Sequence, residues 1–417
     1  MQLATLEILR CPYCGGRLQL VESLFHRRAG DDIRDGILGC HCCIFPVVDG
    51  IPVLHLQPDA TAARDRIQAG EPELARRIMV GLADAREAEA FDAVATSETA
   101  TYRDIVAALG SNFEGGYFLY RFSDPTYVVA QAVVRAVAGT VLHGSRRAID
   151  VCGGSGHLTR SLIGLSSPAP VLADLYFAKV WLARRFTAPG CEPVCCDGNA
   201  PFPFARGTFG YAMCTDAFMY IWTKRQFVGE MERLIAGGGE PGAVVIGHTH
   251  NERTWSPSHG QPLAPAGYRD LFETFEPRVF GESSLFTDVV EGGPLDLSRQ
   301  DSDEVLDREP ALTIVASRHP AVLTAHALDA LPAVAASGEF RLNPLYAATP
   351  NGDRVVLRLQ FPSGDYADEY GACRAYLPDE VEVDRALLAT LPAKIVPPAM
   401  AELARRRVIL DLPKLYY

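Results

Sequence analysis

Five cysteines near the start of the chain have the type and spacing of metal ligands. Cys11 and Cys14 form a C-x-x-C pair, and Cys40, Cys42 and Cys43 follow as a second cluster. Two C-x-x-C pairs supply the four thiolates of a closed, tetrahedral structural zinc site. Because only Cys40 and Cys43 repeat the first gap, the sequence predicts Zn2+ bound by Cys11, Cys14, Cys40 and Cys43, with Cys42 as a bystander. The alternative is a set of buried, reduced thiols.

A glycine-rich stretch, AIDVCGGSGHLTR at residues 148–160, is the second candidate site. Asp150 precedes Gly153, Gly154 and Gly156, and the stretch reads as a strand, a turn and a helix. Glycines in such a turn allow a ligand to approach the backbone closely. Folds that bind NAD use similar glycines, but the G-G-x-G pattern lacks the spacing of a dinucleotide fingerprint.

Polar residues end the next predicted strands. Asp174 closes PVLADL, where a carboxylate can accept both hydroxyls of a ribose, and Asp197 with Gly198 closes CEPVCCDG, where it can accept an adenine amino hydrogen. Thr215 ends the fourth strand, in FGYAMCTDAF, and is a further candidate for the cofactor. Each aspartate alone reads as a cap or turn residue. All of them in register with a glycine turn favour a nucleoside-bearing cofactor.

The candidate catalytic residues are His250, His248 and Tyr120. The two histidines leave the fifth predicted strand in VVIGHTHNERTW, at the edge where doubly wound sheets bind ligands. Either could act as a general base near neutral pH, or the pair could bind a metal together with His259, or they could shape the pocket. Tyr120 lies in GGYFLYRFSDP, ahead of the first core strand.

The elements that must position these residues alternate between strands and helices. Short apolar strands separated by helical segments predict an α/β fold with a doubly wound, Rossmann-like mixed sheet over residues 100–320. A small cysteine-bearing unit occupies residues 1–58, and a helical linker occupies residues 59–99. Residues 321–417 predict a small α+β module, which is winged-helix-like, with a hairpin at the turn signal PNGD.

Composition narrows the class of partner. Of 417 residues, 48% are hydrophobic and the net charge is −12, which disfavours broad attraction to phosphate backbones or anionic membranes. The first residues lack the pattern of a signal peptide, and the uneven cysteine spacing does not read as a disulfide framework. The chain is therefore expected to be cytoplasmic, without a membrane partner.

The cysteine stretches LEILRCPYCGGRL and ILGCHCCIFPVVDGIPVL resemble a family of small zinc ribbons. That family includes the activator subunit of eukaryotic tRNA and translation-factor methyltransferases. The resemblance covers about the first 55 residues and implies a structural zinc and a surface that docks onto a methyltransferase.

The succession of glycine turn and aspartates resembles the class I S-adenosylmethionine-dependent methyltransferases over residues 100–320. The resemblance implies S-adenosyl-L-methionine as cofactor and a role for each candidate: the methionine side of the cofactor for Asp150, Gly153, Gly154 and Gly156, the ribose for Asp174, and the adenine for Asp197 and Gly198. Gly210 departs from the family by replacing its usual acidic residue.

We therefore expect an enzyme that methylates a small molecule at oxygen, nitrogen or carbon. A homodimer, or a docking partner bound through the zinc ribbon or the C-terminal module, is also expected. One alternative is a methyltransferase for ribosomal or transfer RNA bases that recognises RNA through the ribbon. The other is a catalytically silent protein that uses the cofactor fold for binding.

Overall fold

The computed structural model describes residues 1–82, 84–110, 115–144, 146–237, 241–256, 260–328 and 338–417. The helices are α1 (Pro58–Gln68), α2 (Pro72–Met79), α3 (Ala85–Ala95), α4 (Tyr102–Leu109), α5 (Gly115–Phe118), α6 (Pro125–Val141), α7 (Phe177–Leu182), α8 (Lys224–Ile235), α9 (Pro265–Arg269), α10 (Glu282–Glu291), α11 (Asp303–Leu306), α12 (Gly364–Tyr370), α13 (Arg385–Leu388) and α14 (Ala401–Arg405). The strands are β1 (Gln19–Leu20), β2 (Arg27–Ala29), β3 (Asp32–Gly39), β4 (Ile44–Val48), β5 (Ile51–Pro52), β6 (Arg147–Val151), β7 (Val171–Asp174), β8 (Glu192–Cys195), β9 (Phe209–Thr215), β10 (Ala243–His250), β11 (Pro277–Gly281), β12 (Leu295–Asp296), β13 (Ala311–Ser317), β14 (Ala325–His326), β15 (Gly338–Leu342), β16 (Tyr346–Asn351), β17 (Arg354–Leu359), β18 (Glu380–Asp384) and β19 (Ile409–Pro413).

A seven-stranded sheet forms the centre of the molecule, in the order β11-β13-β10-β9-β6-β7-β8. The strands β10, β9, β6, β7 and β8 are parallel, whereas β13 runs antiparallel to both of its neighbours. The strand order reverses at β6, which creates a switch point between β6 and β9. The predicted α/β fold with a Rossmann-like mixed sheet is confirmed.

The sheet is covered on both faces, as its continuous apolar strands require. Successive residues of β6 point to opposite faces, so Ala148 belongs to one hydrophobic core and Ile149 to the other. Helix α6 covers the first face through residues such as Val133 and Val137, and α8 covers the second face through Phe227. The carboxyl ends of the parallel strands are left at one edge.

The N-terminal strands β1, β3, β4 and β5 extend this architecture beyond the edge strand β8. Val53 forms a parallel bridge with Cys195 of β8, and the amide of Leu54 donates to the Cys195 carbonyl at 2.7 Å. The indole of Trp181 donates to Asp49 at 2.7 Å. Because an unpaired edge strand is prone to non-native pairing, these contacts protect β8.

The helices α1, α2 and α3 follow the N-terminal strands, and their inner faces are buried. Ala60, Ala63, Ile67 and Phe91 are fully buried in the core that also contains α6. Among the described residues, no helix combines the length and hydropathy that crossing a bilayer requires.

Three predicted elements differ in the structure. The helix expected in GHLTRSLIGL is only a 3-10 helix, Thr159–Leu162, because the chain turns extended at Ile163 and Gly164 takes a φ of 92°. The acidic stretch at residues 282–309, punctuated by glycine and proline, predicts a loop, whereas the structure has α10, β12 and α11 there, and α10 packs through the fully buried Leu285. The apolar spacing in YRDLFETF predicts a helix, which lies earlier, at Pro265–Arg269.

The last part of the chain contains the expected hairpin, because β16 pairs with β17 across a tight turn at Asn351 and Arg354. Strand β18 adds to this hairpin, while β15 pairs with β19. The winged-helix-like arrangement is not confirmed, since the helices here have four to seven residues.

Candidate functional site

Three strained residues mark the carboxyl edge of the sheet. Cys152 follows β6, Asp216 follows β9 and His248 lies near the end of β10, with φ values of 59°, 58° and 47°. Among the described residues only Asp49 and Arg407 are further non-glycine residues with positive φ. Since such strain concentrates at functional sites, and β6, β9 and β10 are neighbours at the switch point, this edge is the candidate site.

The glycine turn after β6 has no room for a side chain at Gly153 or Gly156. A Cβ added to Gly153 would lie 2.5 Å from an oxygen of Asp150, and one added to Gly156 would lie 2.8 Å from Ala183 Cβ. Gly154 and Gly156 also have positive φ, which L side chains rarely adopt. The predicted glycines are therefore required where the turn bends.

Two carboxylates brace this turn. Asp150 is buried and accepts a 2.6 Å hydrogen bond from Thr159 Oγ1, and its burial raises the pKa of the carboxyl to about 7. Asp174, at the end of β7, accepts the amides of Gly154 and Tyr176, both at 2.9 Å. Asp174 therefore faces the glycine turn from the neighbouring strand, where the sequence places it.

The other predicted cofactor residues border the same crevice. Asp197 follows β8, is half-buried and accepts the Asn199 amide at 2.8 Å. A Cβ added to Gly198 would lie 3.1 Å from Cys152 Sγ, so Gly198 leaves room for that thiol. The hydroxyl of Thr215 is buried without a hydrogen-bond partner, although buried polar atoms are normally paired. Two carboxylates and a buried, unpaired hydroxyl beside the glycine turn fit a ligand with ribose and base parts.

His248 forms a partly buried pair with Glu282, a residue that sequence reasoning missed. Its Nδ1 lies 2.7 Å from Glu282 Oε2, and its backbone amide donates to Oε1 at 2.8 Å. Thr313 also donates to Oε1. Burial opposes the imidazolium, but the charge and hydrogen bond of Glu282 outweigh it and raise the pKa of His248 to about 9. No sequence signal linked the two residues, because Glu282 begins α10, where a loop was expected.

His250 is buried, with its ring centroid 5.8 Å from that of His248. The register of β10 shifts between Ile246 and Thr249, so regular strand alternation does not describe the two histidines. His259 lies outside the described residues. Within the described ranges, the only group of three or more His, Cys, Asp or Glu ligand atoms close enough for a metal is a cysteine cluster. The metal-binding interpretation of His248, His250 and His259 stays a prediction, because it includes a residue outside those ranges.

Asp216 is held by residues that precede the first core strand. Tyr117 donates its hydroxyl to Asp216 Oδ2 at 3.0 Å, and Arg121 makes a 3.0 Å ion pair with the same oxygen. The guanidinium of Arg121 also lies 3.6 Å from Asp124. Tyr120, the predicted catalytic tyrosine, is half-buried with its ring 5.7 Å from that of Tyr366. Tyr117 and Arg121 therefore reach the strand ends from this segment.

The cysteine cluster contains Cys42 where the sequence predicts Cys43. The sulfurs of Cys11, Cys14, Cys40 and Cys42 all lie within 4.8 Å of one another, with Cys42 3.6 Å from both Cys11 and Cys40. The amides of Cys42 and Cys43 both point at Cys40 Sγ, at 3.4 Å. The Cys43 side chain packs against the hydrophobic core, although its sulfur is 3.3 Å from Cys42. Four thiols at these distances fit a structural zinc ion.

No protein-family model and no curated protein matches this chain. Solved structures that resemble it include S-adenosylmethionine-dependent methyltransferases. Geranyl diphosphate C-methyltransferase from Streptomyces coelicolor is 13% identical, over 43% of this chain and 72% of that one, with a TM-score of 0.32. Phosphoethanolamine N-methyltransferase 2 from Haemonchus contortus is 13% identical, over 53% and 60%, with a TM-score of 0.38.

A third similar structure is the complex between the Haloferax volcanii Trm112 methyltransferase activator and a protein described as a methyltransferase. It is 17% identical, over 45% of this chain and 88% of that one, with a TM-score of 0.34. Likeness at these TM-scores carries no conclusion about activity, so function is argued from the site itself.

Proposed function

We propose that this chain binds S-adenosyl-L-methionine at the carboxyl edge of β6, β7, β8 and β9 and methylates a small molecule. The observation that carries the proposal is the set of strained residues Cys152, Asp216 and His248, which lie beside a braced glycine turn at the switch point. The cofactor supplies an electrophilic methyl group. Asp174 would accept from its ribose, Asp197 from its adenine, and the glycine turn would lie beside its methionine part.

The proposed role of His248 is to receive a proton from the acceptor. Its Nδ1–H points at Glu282, so Nε2 is the atom left to exchange the proton. With a pKa of about 9, His248 carries a proton at neutral pH and becomes a base only above that value. A second positive charge is disfavoured beside a cation, so the pKa of His248 should fall towards neutral when the cationic cofactor is bound.

Replacing Glu282 with Gln should lower the pKa of His248 from about 9 to below the ordinary value of 6.5. Burial is the largest influence and disfavours the imidazolium, and without the charge of Glu282 the weaker attraction of Asp216 does not offset it. The pKa is measured by NMR titration of the histidine rings. Glu291→Gln, at the exposed opposite end of α10, is the matched control and should leave the His248 titration unchanged. An unaltered pKa in Glu282→Gln would refute the pairing.

The same pair predicts how stability depends on pH. Because the folded-state pKa of His248 is raised, its protonation stabilises the fold fully below pH 6.5, and this stabilisation is lost as the pH rises through 9. Chemical denaturation between these values should show the loss in the unaltered chain. Glu282→Gln should not show it.

The experiment that tests the proposed activity has two steps. Calorimetry with S-adenosylhomocysteine, and with NADH as the control ligand, asks whether the crevice takes the expected cofactor. Absence of S-adenosylhomocysteine binding would reject the proposal. Methyl-labelled cofactor, incubated with small-molecule extracts and separately with ribosomal and transfer RNA, then identifies the class of acceptor, and label in RNA alone would reject the small-molecule part.

We also propose that the N-terminal strands are a zinc ribbon that serves the sheet within the same chain. The four clustered thiols would bind Zn2+, and backbone pairing of Leu54 with Cys195 would tie the folded ribbon to β8. In this proposal the docking surface that the ribbon resemblance implies already contacts β8 of the same chain. The remaining ribbon surface and the C-terminal elements are the places where a second copy or a partner would dock.

A further inference from the structure

A covering segment, residues 117–124, runs from the last two residues of α5 to the start of α6 and brings Tyr117 and Arg121 to Asp216. Much of it lies outside regular α-helix, so its carbonyls need partners from elsewhere. Side chains near the end of the chain provide them. Tyr416 donates to the carbonyl of Phe118 at 2.6 Å, Tyr417 donates to Leu119, Arg407 donates to Phe122 at 2.7 Å and Tyr376 donates to Ser123 at 2.7 Å.

Tyr416 differs from the other three because it also contacts the glycine turn. Its hydroxyl oxygen lies 2.7 Å from Nε2 of His157, the residue that follows Gly156. The hydroxyl has one proton, and the Phe118 carbonyl can only accept. When Tyr416 donates this proton to Phe118, His157 donates from Nε2 to the tyrosine oxygen. This chain of two hydrogen bonds corresponds to the Nε2–H tautomer of His157.

The surroundings keep both groups in place and neutral. Tyr416 is fully buried and stacks on Tyr102, while the ring of His157 stacks on Phe118. Burial, and secondarily the charge of Arg121, lowers the pKa of His157 to about 3. Burial likewise holds the pKa of Tyr416 well above its ordinary value. Both groups are therefore uncharged at neutral pH, where the chain of hydrogen bonds can form.

We propose that Tyr416 is a positioning residue of the cofactor site, whose hydroxyl joins the end of the glycine turn, through His157, to the covering segment. This inference rests on the proposed function, because it assumes that the turn binds S-adenosylmethionine. It assigns part of the region after residue 338 to the site itself. Without the hydroxyl, the buried Nε2–H of His157 loses its acceptor, and the turn and the segment are no longer held in a common position.

The test compares Tyr416→Phe with Tyr417→Phe in the full chain. Both substitutions remove one hydroxyl that donates to a carbonyl of the covering segment, but only Tyr416 contacts His157. S-adenosylhomocysteine affinity, measured by calorimetry, should fall about 5- to 20-fold in Tyr416→Phe and less than about 2-fold in Tyr417→Phe. Thermal denaturation shows whether each variant is folded at the temperature of the titration.

A measurement on the unaltered chain tests the same inference without a variant. The ring nitrogen shifts of His157 in 15N NMR should report the Nε2–H tautomer. Equal affinities of the two variants, or the Nδ1–H tautomer of His157, would overturn the role of Tyr416 while leaving the proposed function intact. Failure of the unaltered chain to bind S-adenosylhomocysteine would overturn both.

Discussion

The Asp174→Ala variant is expected to bind S-adenosylhomocysteine at least about 100-fold more weakly than the unaltered chain. Asp174 accepts the amides of Gly154 and Tyr176, and in the proposed complex it also accepts from the ribose. Hydrogen bonds to a charged group contribute about 1.5–3 kcal/mol each. Loss of the ribose contact and of the brace on the turn therefore amounts to about 3 kcal/mol or more, which is about 100-fold in affinity. Calorimetry measures the change.

The matched control is Asp384→Ala. Asp384 also accepts two backbone amides, from Ala386 and Leu387 at 2.8 and 3.1 Å, but it is exposed at the start of α13. This substitution removes the N-terminal cap of α13 and should leave the affinity for S-adenosylhomocysteine unchanged. If Asp174→Ala binds within a few-fold of the unaltered chain, the assignment of the ribose to β7 is wrong.

The strands and the glycine turn could be predicted from sequence because their signals are local. Each of β6 to β10 is a short apolar run of the kind that a sheet covered on both faces requires, and the turn carries its glycines where its backbone bends. The strand-end aspartates follow from the same pattern. Asp174 lies beside the turn because β7 pairs with β6, which makes the carboxyl ends of the two strands adjacent.

The residues that sequence reasoning missed act across long separations. Glu282 reaches His248 from 34 residues away. Tyr416 reaches Phe118 across 298 residues. A charge that alters the pKa of a residue distant in sequence leaves no periodic pattern in a single sequence. Neither does a hydroxyl that donates a hydrogen bond to a distant carbonyl. Such contacts depend on how the elements pack, and local spacing carries no information about that.

For the fourth ligand of the zinc site, the local sequence spacing and the three-dimensional structure indicate different cysteines. The spacing favours Cys43, whereas the structure brings the thiol of Cys42 to within 3.6 Å of Cys11 and Cys40. Cys42→Ser should therefore reduce bound zinc from about one ion per chain to nearly none, because a closed site needs all four thiolates. Cys43→Ser should retain about one ion. Zinc is measured by elemental analysis after dialysis against a weak chelator.

The loss of zinc should also lower the stability of the whole chain. Structural zinc contributes about 10–16 kcal/mol to the folding of small zinc modules, so the ribbon strands of Cys42→Ser should unfold. The pairing of Leu54 with Cys195 would then be lost, and β8 would become an exposed edge. Thermal denaturation should show a lower midpoint for Cys42→Ser than for Cys43→Ser. A chelator should lower the midpoint of the unaltered chain to that of Cys42→Ser. If Cys43→Ser loses zinc and Cys42→Ser keeps it, the ligands are those of the repeated C-x-x-C gap, because metal binding would then rotate the thiol of Cys43 out of the core.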